Sequence, residues 1–425
     1  MRIVTLEPQD FDTFARSHKY ESYFQTSDYA NFEANKGYKI HYLGFLDDDD
    51  NLVGAAMCLY KKLFWNYNFA YIPRGLLIDY DNPYLVNKIT LKLKKLLYKQ
   101  NYVFIKIDPP VIASEKDFSG KTLYLSNTAG EIINTLKNNN YKHMGFNLNY
   151  ETKLPRFNVI TKLNKDTKEM FSKFNSEVKE NIRYAKQLGI KIIEEENNNI
   201  DTFFELIKYT YGRIGKKYFT DLYSAFKQDD KIDIFYTVIN SQEYVKNANK
   251  YYNQEEETNR GLGEIIKLND RVHYNIEKVI NDKMESDKRL EKYKNDVINA
   301  TNFLRKYPDS KILGASLVIK HQKGADCLIL YEDKNANIFK SNPLLISYMC
   351  EKYANEGLKY LILGPTTGNF DRNNPRFKAN INKMGFNSSI IEYIGEFDLI
   401  INPLMYKIHE HKLEKDRKKR LNKKR

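Results

Sequence analysis

The chain has 425 residues, 42% hydrophobic and 14% aromatic, more than one ordinary core holds, which predicts two globular domains plus an appendage. Its net charge is +13, but nine Lys/Arg and two Asp/Glu fall between Lys412 and Arg425, so the tail supplies over half the excess and the body is no strongly basic surface. No apolar run approaches the ~18 residues of a bilayer span, and Cys58, Cys327 and Cys350 are too scattered for a metal cluster, so the chain reads as a reduced, cytoplasmic protein.

The opening MRIVTLEPQDFD turns acidic by Glu7 and does not read as a signal peptide. An aromatic-rich helix is expected over 27–35, followed by Lys36 and Gly37. Residues 39–45 and 53–60 read as strands joined by an acidic turn. The stretch 82–100 reads as a helix, with Leu85, Ile89, Leu93, Leu96 and Leu97 on one side and lysines opposite. A buried strand over 103–107 is then stopped by Asp108-Pro109-Pro110, because proline cannot continue a ladder. Another helix is expected over 128–138.

A second unit starts near Phe157. Its helix 176–188 is ended by Gly189, a strand follows over 190–193, then a helix over 201–213 and a loop I-G-K-K-Y-F. Residues 241–307 differ in character, with 13 Lys/Arg, 12 Asp/Glu and few strand signals. Leu290, Tyr293, Val297, Ala300 and Leu304 step by three and four, as do Ile265, Leu268, Val272, Ile276 and Val279, which predicts an antiparallel helical hairpin. Its near neutrality argues against simple phosphate attraction and favours a structural or dimer-forming prop over a contact with RNA. Strands over 312–320 and 326–332, a helix over 343–356 and a strand over 360–363 then echo the first segment, a weak repeat of one α/β unit.

The stretch 360–408 carries the most chemistry. A short apolar strand is broken at Gly364-Pro365, and a polar loop leads to Phe377 and Lys378. A turn at Met384-Gly385-Phe386 precedes a strand-like run ending at Gly395. A cationic side chain is thus delivered on a loop at a strand end, where function tends to collect. There is no Gly-x-Ser-x-Gly elbow, no Cys/His pairing and no metal-binding histidine motif, and the seven histidines read as structural.

The order strand, G-P-x-x-G, F-K, K-x-G-F, E-Y-I-G-[DE]-[FL], I-N-P-x-M-Y resembles the C-terminal signature of the FemABX family. N-I-R-Y-A-K-Q-L-G-I-K-I (181–192) and Y-I-P-R-G (71–75) fit it too. The resemblance covers nearly the whole chain and is densest in 20–110, 174–193 and 326–406. It implies an α/β (α+β) fold of two acetyltransferase-like (GNAT-like) domains, 1–153 and 154–240 with 308–411. An antiparallel coiled-coil arm, 241–307, is inserted in the second, and a basic tail, 412–425, follows. The arm places the chain nearer the FemA/FemB branch than the armless FemX branch.

The activity the resemblance implies is tRNA-dependent aminoacyl transfer in peptidoglycan cross-bridge synthesis. Gly, Ala or Ser would pass from aminoacyl-tRNA to the stem-peptide amine of lipid II or UDP-MurNAc-pentapeptide. No cofactor or metal is called for. A homo- or heterodimer with related transferases is a further expectation, and the tail is a candidate contact for the inner membrane face or for tRNA phosphates. The ester is already activated, so holding the two substrates together contributes up to ~7–11 kcal/mol, leaving oxyanion stabilisation and proton transfer to side chains.

By position in these motifs, Lys378 is the expected electrostatic catalyst, with Phe377 packing beside it, and Asp108 the residue that orients or deprotonates the amine. Lys36 and Arg213 would hold a diphosphate. Tyr218 lies near a family tyrosine, although its spacing is off by one. Tyr331 would face the muramyl pentapeptide, and 71–75, with Arg74, would shape the groove wall. Lys378, Asp108 and Tyr331 are therefore expected to share one groove. Two competing readings are an acyl-CoA N-acyltransferase, whose Q/R-x-x-G-x-G/A loop is absent from the strand–helix junctions, and a non-catalytic coiled-coil or RNA-binding protein.

Overall fold

The computed structural model describes residues 1–149, 152–196, 200–268 and 275–422. From the N-terminus the chain lays down β1 (Arg2–Thr5), β2 (Lys39–Leu46), β3 (Leu52–Phe64), β4 (Tyr67–Ile72) and β5 (Tyr102–Ile107). It crosses away to form β6 (Ile112–Lys116) and β7 (Thr122–Leu125), then returns for β8 (Tyr141–His143). Next come β9 (Phe157–Lys162), β10 (Lys191–Glu194), β11 (Ile232–Asn240), β12 (Ser310–Lys320), β13 (Gly324–Glu332), β14 (Tyr360–Pro365), β15 (Ser388–Tyr393) and finally β16 (Phe397–Ile400). Among the described residues these make a seven-stranded sheet, β1-β2-β3-β4-β5-β16-β8, and a nine-stranded sheet, β10-β11-β12-β13-β14-β9-β15-β6-β7.

Each sheet contains a parallel step of the same design. β4 lies parallel to β5 across the helix Pro83–Lys99, and β13 lies parallel to β14 across the helix Ser341–Asn355. Parallel neighbours require such a crossover, so the strand–helix–strand order that repeats in the sequence is the repeated unit. Asn82 starts the first of these helices by accepting from the Leu85 N–H at 3.0 Å, and Pro83 follows it. Its buried stripe is Val86, Ile89, Leu93 and Leu97, which shifts the expected face by one residue at its start.

The sheets trade strands. β5 pairs antiparallel with β16 in the first sheet, and β6 pairs antiparallel with β15 in the second. Residues 102–116 and 388–400 are therefore a two-stranded ribbon that runs through both sheets. It changes sheet at residues 108–111 and 394–396, where the Ile394 N–H donates to the Val111 carbonyl at 3.0 Å. Two carboxylates lie buried at this crossing, Asp108 at 2% and Glu396 at 0% exposure. One apolar cluster also bridges the units, joining Phe11, Phe32 and Leu59 to Phe203, Phe219 and Leu317.

Two local readings need correction. The segment I-G-K-K-Y-F is a loop only at its start, because Lys216–Phe226 is a helix that follows Gly215. Phe219, Leu222, Tyr223 and Phe226 recur at helical spacing and are buried, and this apolar stripe overrides the loop-like polar start. In the arm, the helices are Ser241–Lys267 and Ile276–Lys306. The apolar steps from Ile265 to Val279 span the break between them and so do not form one seam, and Val272 lies outside the described residues. The seam is aromatic at its base, Tyr244 against Phe303 with ring centroids 5.9 Å apart. Farther out it is polar, with Arg289 bonding both carboxylate oxygens of Glu255 and Asn259 donating to Asp287 at 2.7 Å.

Lys106 of β5 is 8% exposed and faces Asp398 at 2.8 Å and Glu396 at 3.4 Å. Glu396 also accepts from the Thr152 hydroxyl and the Lys153 N–H. Lys106→Met leaves two buried carboxylates without their cation, so unfolding in urea should show a loss of about 3–5 kcal/mol. A loss below ~1 kcal/mol would mean the ion cluster does not hold the crossing together.

Candidate active site

A cavity of about 590 Å³ lies between the two units. The second sheet supplies one wall through Asp326 and Cys327 of β13, Tyr360 and Gly364 of β14, and Tyr393 of β15. The first unit adds Glu21, Tyr23 and Arg74, and the helix Lys216–Phe226 adds Tyr218.

Arg74 enters from the turn after β4, and the turn is held by two buried side chains. Gln25, fully buried, donates to the Pro73 carbonyl at 2.7 Å and accepts from the Met57 N–H at 2.9 Å. Asp108 accepts from the Arg74 N–H at 2.6 Å and from the Tyr71 hydroxyl at 2.8 Å. Arg74 has a φ of 49°, a left-handed conformation that costs a non-glycine residue about 1–3 kcal/mol, and these contacts offset it. Burial pushes the Asp108 carboxyl up to about 6 against the opposing pull of Arg74 and both hydrogen bonds. At neutral pH it remains mainly a carboxylate. It stands behind Arg74 and does not line the cavity.

A second charged group spans the seam. His321, 4% exposed in its side chain, faces Glu21 through Nδ1 at 2.9 Å and Asp326 through Nε2 at 3.1 Å. Burial alone would depress the imidazole, but the hydrogen bonds to Asp326 and Glu21 outweigh it and carry the pKa up to about 9. With a carboxylate at each nitrogen, both nitrogens act as donors and the ring is an imidazolium.

Lys383 is the functional candidate that motif reading passed over. Its Nζ lies 3.5 Å from where a Cβ on Gly364 would stand, beside Cys327, and both of those residues line the cavity. Burial lowers its pKa, and no carboxylate among the described residues pairs with it. The turn that aims it is well anchored. Gly385 has a φ of 87° and packs where any side chain would strike Asn175, and Phe386 is fully buried. The signal was the K-x-G-F step at 383–386, five residues before E-Y-I-G. Cys327 itself is an inert thiol, since burial pushes it up to about 12.

The expected grouping of Lys378, Asp108 and Tyr331 is not what the structure shows. Lys378 ends the short helix Pro375–Lys378, is exposed, and lies outside the cavity lining. Phe377 is 2% exposed and packs against Phe370 in the core of the second unit, ring centroids 6.0 Å apart. The apolar ring takes the buried side of this helical turn and leaves the lysine in water. Tyr331 is on the cavity strand β13 but beyond the lined stretch, partly buried against the shared apolar cluster. Lys36 and Tyr218 do come together, with Nζ 4.8 Å from the ring centroid of Tyr218, 3.8 Å from that of Phe32 and 2.6 Å from Glu33. Arg213 is exposed in the turn before Gly215.

The His321 shift has a defined sign. A histidine whose pKa is raised by folding stabilises fully below its ordinary 6.5 and loses that contribution as pH rises through about 9. The pH-dependent part of the stability difference between the wild type and His321→Gln should shrink by about 3 kcal/mol across that window. A difference independent of pH would mean that His321 is neutral in the fold.

Comparison with known proteins agrees with this architecture. The FemAB family profile matches residues 6–412. The chain is 24% identical over 432 residues to the lipid II:glycine glycyltransferase of Staphylococcus aureus, covering 96% of this chain and 95% of the relative. A crystal structure of FemX superposes with a TM-score of 0.73 at 22% identity, covering 96% of this chain and 99% of that one. Such coverage includes most of the arm, so the arm does not separate this chain from FemX. The fold is an α/β fold of two sheet-centred units with an inserted helical hairpin, shared with FemX, and the chain belongs to the FemAB family.

Proposed function

We propose that this chain transfers a small amino acid, Gly, Ala or Ser, from aminoacyl-tRNA to a stem-peptide amine of lipid II or its soluble precursor, as a step in building the peptidoglycan cross-bridge. Family membership and the S. aureus glycyltransferase, matched over 96% of this chain, support the aminoacyl transfer. The observation that carries the reading is Lys383, a half-buried ammonium with no carboxylate partner among the described residues, which lies beside the cavity residues Gly364 and Cys327.

The chemistry follows from what is absent and present among the described residues. The cavity offers no activated nucleophile, because Cys327 is held as a thiol, so the acceptor amine attacks the ester carbon directly. As the C–N bond forms, the carbonyl oxygen becomes an oxyanion, and a positive charge in a water-poor wall stabilises it. The ester C–O bond then breaks, the amine gives up a proton and the departing ribose oxygen gains one. Lys383 takes the electrostatic role that motif order assigned to Lys378. Asp108 acts as a positioning residue through Arg74. Lys36 is already paired with Glu33, so an incoming diphosphate meets Arg213 first.

No helix among the described residues is long and apolar enough to cross a membrane. A lipid-linked acceptor is therefore approached from its headgroup side, and the basic stretch from Lys412 supplies attraction to an anionic surface.

The test is transfer from radiolabelled aminoacyl-tRNAs to purified lipid II, with mass analysis of the product. Lys383→Ala should lower kcat/KM by ~10²–10³ with little change in melting temperature, and Lys378→Ala should leave it within about twofold. The reverse pattern would return the role to Lys378. No transfer with any tRNA would overturn the function.

A further inference from the structure

The end of the first sheet where β5 begins gathers exposed apolar side chains from three elements. The tip between β3 and β4 carries Trp65, the helix Pro83–Lys99 has Tyr98 in its last turn, and the final helix, Pro403–Asn422, opens with Leu404. The ladder brings all three to one end. The Asn68 N–H, just past the tip, donates to the Asn101 carbonyl, just past the helix, at 2.9 Å. The Ile401 and Asn402 N–H groups, just before the final helix, both donate to the Val103 carbonyl at 3.0 Å. Trp65 is 68% exposed, Leu404 66% and Tyr98 61%.

Folding gives no reason for this exposure. Trp65 is the chain's only tryptophan and has a φ of 47°, a left-handed tip position that suits glycine or asparagine better. Its ring meets Phe64 edge-on, centroids 5.2 Å apart. The neighbours Phe64 and Met405, not Trp65 and Leu404, join the apolar cluster around Phe104 and Tyr406 beneath. Leu91 and Tyr84 are also exposed, at seven-residue steps before Tyr98 and so on the same face of their helix.

The charge around these side chains is one-sided. Lys62, Lys95, Lys99 and Lys407 are exposed, and none forms an ion pair with another described residue. No Asp or Glu occurs in residues 51–78, 82–107 or 399–409. A second copy of the chain would set lysine against lysine in a two-fold contact. Nucleic acid suits the lysines, but the aliphatic Leu91 and Leu404 offer its bases nothing to stack on. An anionic bilayer meets both halves of the pattern, because tryptophan, tyrosine and leucine suit the interfacial depth and lysines the headgroup phosphates.

We propose that this end of the first unit is a docking face for an anionic bilayer, with Trp65 and Leu404 entering the interface, Tyr98 at headgroup level and the lysines around them. The face belongs to the folded body, so it sets an orientation that the charge of the tail alone does not. Its purpose rests on the reading that the acceptor is lipid-linked, but docking itself needs neither acceptor nor tRNA.

Trp65, as the sole tryptophan, reports its own burial. The full-length protein is titrated with vesicles of phosphatidylcholine, alone or mixed with phosphatidylglycerol, and with no lipid II or tRNA. Emission should move to the blue on the mixed vesicles, stay in place on the neutral ones, and return as salt is raised. In vesicle sedimentation, Trp65→Ser and Leu404→Ser should each weaken binding roughly fivefold. Lys62→Gln combined with Lys99→Gln should weaken it about tenfold, with melting temperatures unchanged. Replacing Lys412, Lys415, Lys418 and Lys419 by Gln should weaken binding but keep the blue shift. Undiminished binding by Trp65→Ser and Leu404→Ser means that the tail alone holds the protein, which overturns the proposal. An unmoved wild-type emission on mixed vesicles overturns it too, and that measurement needs no variant to fold. So does a blue shift produced by tRNA, or by concentrating the protein without vesicles, which mark a nucleic-acid face or self-association. If docking follows these expectations but lipid II is not modified with any tRNA, the docking face stands and the transfer reading falls.

Discussion

The ribbon formed by residues 102–116 and 388–400 is the constraint on which the rest of the molecule depends. Each of its strands starts in one sheet and ends in the other, so the two sheets cannot separate without breaking ladder hydrogen bonds in both. Hydrogen-bonded crossings of this kind define a rigid seam, unlike the compliant interface of two domains that merely touch. Walls drawn from both units therefore keep a fixed spacing. Arg74 and Asp326 come from different units, so any chemistry that uses both inherits its geometry from the ribbon.

Such a seam has an electrostatic cost. Asp108 and Glu396 sit at the crossing, away from water, where a lone carboxylate is strongly disfavoured. Each is compensated differently. Glu396 is met by Lys106, Thr152 and Lys153 and serves as structure. Asp108 is met by the backbone of Arg74 and by Tyr71, which converts the need to satisfy a buried charge into the placement of a cavity arginine. The His321 cluster follows the same logic from the other unit, fastening Glu21 to Asp326 across the gap. In all three cases buried charge is tolerated because its partner lies on a different element, so each cluster also acts as a positional lock.

Much of the fold was legible because its signals are local. Asn82-Pro83 and Asn175 open helices, Gly189 with a φ of 86° closes one, and Asp108-Pro109-Pro110 ends a strand. Strand exchange was not legible, since nothing in the alternation of residues 112–125 or 397–400 says which sheet they join. The helix at 216–226 was missed because its polar opening hid an apolar stripe that begins at Phe219. The arm misled for a related reason. Apolar residues from Ile265 to Val279 are spaced as in a coiled coil but fall on both sides of the break, whereas the contacts across the arm include, beside the Tyr251–Tyr293 ring pair, the polar set Glu255, Arg289 and Asn259, which a hydrophobic template does not count.

The site was harder to read for a physical reason that Lys378 and Lys383 make plain. They are five positions apart in one polar loop, and both sit beside family motifs. What distinguishes them is which neighbour is buried. Phe377 needs the core, and in a single helical turn its burial sends Lys378 outward. Phe386 also needs the core, but the left-handed turn at Gly385 lets the chain reverse before it, so Lys383 can be drawn inward beside Gly364. A lysine is held in such a place only if the fold is stable enough to bear a desolvated ammonium without a counter-ion. Charge of that kind contributes nothing to stability, which is in keeping with the proposed role of Lys383 in meeting a negative charge that arrives during turnover.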